Sequence, residues 1–282
     1  MGEEPLVWRA REIEWVLDRT LVMGILNVTP DSFSDRGKFL DTNGAVDRAV
    51  QIAEEGADIL DVGGESTRPG AQPVPADEEW RRIGPLIEAV ARKIDLPISV
   101  DTYKPDIARK AIRAGAVVVN DVRGLRDPAM AKVVANAGAG AVIMHMKGEP
   151  ATMQRDPRYE DVLAEVRGFL SDRLQDSLSR GIARESVVLD PGLGFGKTPA
   201  HNTAILRSLL RIRELGRPVL VGPSRKSFLE PVPPQGNLTR LESSLAAAAL
   251  AIANGANIVR VHDVAETVHL VRSPGDPPRP QA

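Results

Sequence analysis

The chain has no cysteine in 282 residues, so disulfides, thiolate nucleophiles and zinc–sulfur centres are excluded. Histidine occurs four times, never paired with an acid at helical spacing, which argues against a zinc hydrolase. Aromatic residues are only 4% of the chain, few for stacking nucleic-acid bases. Neither charge sign dominates: 36 basic residues stand against 38 acidic, with no basic arm, so nucleic acid is not expected as a partner. No apolar run reaches the roughly 18 residues of a membrane span. The first residues carry Glu3, Glu4, Arg9, Arg11, Glu12 and Glu14, which leaves no apolar signal-peptide core there. The expectation is a soluble cytoplasmic protein without a membrane partner, in which the sequon-like Asn27 and Asn237 are chance. Lysine supplies 8 of the basic residues and proline is plentiful at 22; thermophily and genome base composition explain both equally well.

What is present is a rhythm. Eight times a short apolar, β-branched run stops on a chemically useful side chain. The first runs end at Asn27, around Asp61 to Ser66, at Asp101, and at Asn120 and Asp121. The others end at His145, at Asp190, at Ser224 to Lys226, and at Arg260 and His262. The runs are continuously apolar rather than alternating, as strands buried on both faces are. Room for a helix follows each. This predicts an α/β fold, a single-domain TIM (β/α)8 barrel, with all reactive ends at one mouth.

Strands are expected at 21–27, 59–62, 97–100, 117–120, 141–144, 187–190, 218–221 and 258–261. Helices are expected at 43–55 (capped by Asn43), 77–93, 105–114, 128–137, 160–180, 201–215, 241–254 and 264–271, with a short helical turn near Ser224. WRAREIEW at 8–15 reads as part of a β-hairpin, about 7–17, at the barrel floor. The barrel would fill 1–272, with 273–282 a disordered tail. The helix at 241–254 is small and apolar nearly all round, which fits either tight packing on the barrel or a subunit interface.

Two tempting motifs fail. DPGLGFGKT at 190–198 ends like a phosphate-binding loop, but Pro191 stands where that pattern needs glycine. A dinucleotide fingerprint would need glycine at Lys197. The strand-end groups instead divide by charge. Asp101, Asn120 and Asp190 suit a neutral heterocycle rich in N–H donors, because a carboxylate accepts two parallel N–H bonds from an amidine-like edge. The blander alternative is that these acids cap helices or pair with Lys or Arg. Arg68, Lys226, Arg260 and His262 would ring the mouth as cations, with Asn27, Ser34 and Thr67 as neutral contacts. Arg260 and His262 alternate to one side of their strand, so if one faces the lumen both do. Carboxylates and amide at depth, with cations at the rim, call for a nitrogen heterocycle bearing phosphate or diphosphate.

The blocks MGILNVTPDSFSD (23–35), GADILDVGGESTRPG (56–70), ISVDTYKPDIARKAI (98–112), VVNDV (118–122), LDPGLGFGKT (189–198), GPSRKSFL (222–229) and VRVHDV lie in order along the chain. They resemble the dihydropteroate synthase family, the sulfonamide-inhibited enzymes of folate synthesis, over about 20–271. The resemblance implies a transferase that condenses 6-hydroxymethyl-7,8-dihydropterin diphosphate with para-aminobenzoate, with Mg²⁺ as cofactor and a homodimeric assembly. It implies pterin contacts from Asp101, Asn120, Asp190, Lys226, Met144 and Phe195. Asn27, Arg260 and His262 would hold the diphosphate, Asn27 also its metal. Thr67, Arg68, Pro69, Phe195 and Ser227 would border para-aminobenzoate. Catalytic roles fall to Asp101, Lys226, Arg260 and His262, while loops 28–39 and 64–75 would close over the substrates. Two departures stand out: Arg36 where family loops often have glycine, and Ser243-Ser244 where a Gly-Ser or Gly-Thr pair often starts the helix.

Three rivals share some of these features. Pterin-dependent methyltransferases share the barrel and the Asp–Asn–Asp set, but need neither SRKS at 224–227 nor RVH at 260–262. A non-catalytic pterin binder would be expected to have lost its phosphate ligands. A sugar-phosphate aldolase or isomerase lacks a strand-centre lysine for a Schiff base. The mechanism expected is dissociative substitution at the pterin's exocyclic methylene, with no general base because the arylamine is already neutral.

Overall fold

Hydrophobic runs too short for helices and flanked by glycine, proline and acidic residues form the strands of a barrel. A computed structural model describes residues 6–28, 42–67, 70–226 and 239–272. Two strands come first, β1 (Val7–Ala10) and β2 (Ile13–Val16), paired antiparallel. Eight follow: β3 (Leu21–Asn27), β4 (Ile59–Gly63), β5 (Ile98–Asp101), β6 (Val118–Asp121), β7 (Gly140–Met144), β8 (Val187–Asp190), β9 (Leu220–Val221) and β10 (Ile258–Val261). All pair in parallel, in the order β8-β7-β6-β5-β4-β3-β10-β9. A parallel bridge from Leu189 to Val219, beside β9, joins the two ends and closes the barrel. Closure removes free sheet edges.

The helices are α1 (Thr42–Glu54), α2 (Ala76–Lys93), α3 (Pro105–Ala114), α4 (Pro128–Ala137), α5 (Val162–Ser179), α6 (Pro199–Leu206), α7 (Leu209–Arg213), α8 (Arg240–Ala253) and α9 (Val264–Val271). Their apolar faces and the outward faces of the strands make one continuous shell of core between them. Most boundaries fall within a residue or two of expectation. Three points differ. The helix expected at 201–215 is two, because Arg207 and Ser208 tighten onto Thr203 and Ile205 and the chain restarts at Leu209. Periodicity does not register so short a break, since Ile205, Leu206, Leu209 and Ile212 are all buried on one side. Asn43 lies inside the first turn of α1 rather than at its cap. Ser224 and Arg225 form a turn, with Arg225 at φ 55°, and residues 227–238 lie outside the described residues, as does the tail 273–282.

The hairpin closes the floor. Trp8 and Ala10 are fully buried against lumen-facing Met23, Ile59, Val118, Val142 and Val188. The Trp8 indole N–H donates to Ser186 O at 3.1 Å, and Trp15 stacks on its ring with centroids 4.6 Å apart. Arg217 binds three carbonyls, of Val187, Val7 and Glu185, tying hairpin to barrel. Among the described residues the indole plugs one end, and the strands' carboxyl termini lie at the opposite end.

Helix α8 resolves part of its own ambiguity. Ser243, Ser244, Ala247, Ala248 and Ala251 are buried against the barrel, so small residues there allow close packing. Ala246, Leu250 and Ala253 on the other side are exposed, and still apolar. Thr239 and Glu242 form a capping box at the helix start.

Candidate active site

Register decides which side chains meet. Residues paired across a parallel sheet face the same side, and Asn27, Gly63, Asp101 and Asn120 form one unbroken row from β3 to β6. Met144 and Asp190 are paired across β7 and β8. Asp101, Asn120, Met144 and Asp190 line a cleft of about 340 Å³, counted with its open mouth. Thr67, Phe195, Lys226 and Arg260 complete its walls. One cleft therefore gathers residues from β5, β6, β7, β8 and β10 and from the loops after β4, β8 and β9. Asn27 and His262 lie beside it. Asn27 Oδ1 is where a Cβ added at Gly63 would come within 3.3 Å, and that same Cβ would touch Asp101. His262 Nδ1 is 3.1 Å from Ser224 Oγ, which also accepts the His262 backbone N–H. Arg68, Pro69 and Ser227 fall outside the described residues, as does most of loop 28–39.

Arg260 stands among the carboxylates, so the separation expected between acids at depth and cations at the rim is not what the fold builds. Its Nε donates to Asp61 at 2.5 Å and its Nη2 to Asp101 at 2.6 Å. Asp61 is fully buried, and the same oxygen that takes Arg260 accepts Asn120 Nδ2 at 3.1 Å. The other oxygen, Oδ1, is buried without a partner among the described residues. Burial works against the Arg260 charge, but Asp61 and Asp101 together hold its pKa above the ordinary arginine value. One guanidinium cannot neutralise two carboxylates. Asp101 is consequently pushed up to about 7, chiefly by burial, with Arg260 pulling down and Asp61 pushing up.

Asp190 is pushed up to about 6 by burial, against the pull of the Gly192 N–H and of Lys226. Gly192 N donates to its Oδ1 at 2.7 Å. The Lys226 ammonium sits 4.2 Å above the centre of the Phe195 ring, so charge and wall are held together. Met144 joins Val122, Met146 and Met153 in a small apolar cluster, with Phe195 and Tyr103 packed on it, which gives the cleft a flat greasy side. Gly192 and Gly196 allow the 190–198 segment to lie flat on the end of β7. At φ 67° and 65° both are left-handed. A Cβ would fall 1.9 Å from His145 O at the first and 2.3 Å from Lys147 O at the second.

Three residues belong to this architecture to which the sequence assigned no role in a site. Asp61 anchors Arg260 and Asn120; the available signal was a carboxylate two residues before Gly63, on the same strand parity as the site. Glu65 takes the Tyr103 hydroxyl at 2.8 Å, the Val74 N–H at 3.1 Å and the Lys104 ammonium, thereby binding both ends of loop 64–75. Lys197, in the failed phosphate-loop motif, is buried under the cleft.

A plugged barrel whose open end gathers buried carboxylates, an amide and two cations in one cleft can accept N–H donors and meet negative charge side by side. The profile of the family described as "Pterin binding enzyme" matches residues 23–262. A dihydropteroate synthase of Escherichia coli (strain K12) is 46% identical over 251 residues, 89% of each chain. A solved Xanthomonas albilineans dihydropteroate synthase with 4-aminobenzoic acid superposes with a TM-score of 0.86 at 45% identity, covering 94% of this chain and 96% of that one. The same enzyme in complex with 7,8-dihydropteroate gives 0.82 at 43%, covering 93% and 95%. The chain belongs to the dihydropteroate synthase family of pterin-binding enzymes, which are transferases of folate synthesis.

Proposed function

We propose that the chain joins 6-hydroxymethyl-7,8-dihydropterin diphosphate to para-aminobenzoate, giving 7,8-dihydropteroate and diphosphate by dissociative substitution. The carrying observation is that Asp101, Asn120 and Asp190 are buried in one cleft with Lys226 and Arg260. Asp190, oriented by Gly192, accepts the N–H donors of the aminopyrimidine edge, Asn120 offers its amide, and Lys226 donates to the ring carbonyl. Met144 and Phe195 supply apolar faces for the ring.

In the reaction the exocyclic C–O bond breaks, and diphosphate leaves with the electron pair. The cation left behind is delocalised into the pterin and stabilised by the carboxylates beneath it. Asp101 near Arg260 keeps that floor net negative. The arylamine lone pair of para-aminobenzoate then forms the C–N bond, and its proton passes to solvent. Arg260 and His262 meet the diphosphate, the imidazole steadied by the Ser224 hydroxyl. Thr67 and Phe195 border para-aminobenzoate; Arg68, Pro69 and Ser227, which the family resemblance assigns to the same substrate, lie outside the described residues.

Magnesium fits this arrangement. The Asn27 amide oxygen, a hard neutral donor, lies close to Gly63 on the side of Asp101. Among the described residues no three His, Asp or Glu side chains cluster as cation ligands, so its oxygens would come from Asn27, the diphosphate and water. Bound there, magnesium supplies charge neutralisation for the leaving group. The assembly proposed is a homodimer through the outer face of α8, where Leu250 is exposed within an apolar strip.

The test mixes purified protein with both substrates and Mg²⁺ and follows diphosphate release. Product formation should require para-aminobenzoate and Mg²⁺ together. Release independent of para-aminobenzoate, or no release, overturns the assignment.

A further inference from the structure

Lys197 and His145 take no part in the chemistry above, yet they are almost wholly buried, at 2% and 6% exposure. The Lys197 ammonium is 2.9 Å from His145 Nδ1, 2.9 Å from Gly192 O and 3.1 Å from Phe195 O, with His145 O at 3.4 Å. Three N–H bonds thus reach three points of the chain that must stay in fixed relation. His145 ends the β7 run, Gly192 orients the Asp190 carboxylate, and Phe195 walls the cleft and underlies Lys226. From sequence, the lysine imitates a nucleotide-loop residue and the histidine is a strand end with no assigned role.

We infer that Lys197 is a positioning residue for the pterin subsite, a buried ammonium that staples the 190–198 segment to the end of β7 with His145 as its neutral acceptor. For Nδ1 to accept, the ring must be uncharged with its proton on Nε2. Burial, followed by the Lys197 charge, accordingly holds His145 far below its ordinary value, to about 2. Phe169 packs edge-on against that ring at 5.0 Å, and Tyr159 lies 6.2 Å away while donating its hydroxyl to Gly196 O. The imidazole is therefore fixed as an acceptor and is not a proton carrier. Burial pulls Lys197 itself down to about 7, with Asp190 opposing that shift and Lys226 adding to it. Lys197 acts on substrate only through Gly192 and Phe195: without it, the carboxylate that grips the pterin edge loses the support of its own N–H donor.

The inference rests on the pterin assignment, and calorimetry with the product-like ligand 7,8-dihydropteroate separates the two. Failure of the wild-type chain to bind would sink that assignment. With wild-type binding established, Lys197→Met keeps the stem, removes the donors and should weaken binding at least tenfold. In turnover its KM for pterin diphosphate should rise at least tenfold, with kcat within about threefold at saturation. A merely structural lysine would lower the melting temperature and leave KM of the folded fraction unchanged, and that result would overturn the inference. Should Lys197→Met not fold, His145→Gln and His145→Leu decide. The Gln amide oxygen can replace Nδ1 and should hold KM within threefold, whereas Leu should raise it several-fold; equal KM values would refute the staple.

Discussion

Replacing Asp61 tests whether the active-site floor is organised as one electrostatic unit. The carboxylate accepts Arg260 Nε at 2.5 Å and Asn120 Nδ2 at 3.1 Å on one oxygen, at zero exposure. Hydrogen bonds to a charged group contribute about 1.5–3 kcal/mol each, so Asp61→Ala forfeits roughly 3–6 kcal/mol. Breaking a buried ion pair by removing one partner costs about 3–5 kcal/mol, and Asp101, which still holds Arg260 Nη2, puts the value near 3. In Asp61→Asn the amide oxygen can accept both bonds, while its NH₂ takes the place of the oxygen that has no partner among the described residues. Charged acceptors become neutral ones, a loss of about 1 kcal/mol per bond and about 2 in all. Urea unfolding should show the alanine variant losing about 3 kcal/mol or more and the asparagine variant about 2, with unchanged m-values. Pterin calorimetry should show at least a tenfold loss for alanine, because Asn120 is no longer oriented, and a few-fold loss for asparagine. An alanine variant as stable as the parent, or one that binds pterin equally well, would falsify the account of Asp61 as the anchor of Arg260 and Asn120.

Pterin affinity should depend on pH through Asp190, which must be ionised to accept N–H bonds and is held up at about 6. Calorimetry should find a plateau above that value and progressive loss below it, absent in Asp190→Asn. In the free chain the sign is opposite. Asp101 and Asp190 titrate above the unfolded value of about 3.9, so their stabilising contribution is complete below about pH 4 and is lost as pH rises through about 6 to 7. Denaturant midpoints of the single Asp→Asn variants should show that part of the pH dependence diminished. Gly192→Ala places a Cβ 1.9 Å from His145 O at φ 67°, so the segment must shift; at least tenfold weaker pterin binding is expected by titration, and an unperturbed site would contradict the close approach. Trp8→Ala should cost about 3–5 kcal/mol of stability through the emptied floor, yet leave both KM values unchanged, because the indole plugs the end opposite the cleft. Leu250→Glu should convert the proposed dimer to monomer in sedimentation velocity; retained dimers would place the interface elsewhere.

The family blocks in the sequence identified the family, and apolar continuity identified the barrel. Strand β3, the helices at 105–114 and 128–137, and strand β10 were legible to the residue, because each is bounded by its own proline, glycine or polar stop. The split between α6 and α7 was not, since its cause is a two-residue tightening that leaves the apolar spacing intact. Within the site, Asn120 and Asp190 were legible because a strand-end carboxylate or amide has a preset direction once the fold is parallel. The arginine at 260 was equally visible, but its partner was not: Asp61 lies 199 positions away and meets it only through the register of β4, β3 and β10. The sequence by itself thus determined the barrel, the mouth and the residue types gathered there, because strand periodicity and chain breaks are local properties. Only the tertiary structure decided which charges cancel. It set Arg260 between two buried acids and brought the lysine of a false phosphate loop against His145, because charges in a low-dielectric interior answer to neighbours that sequence distance does not reveal.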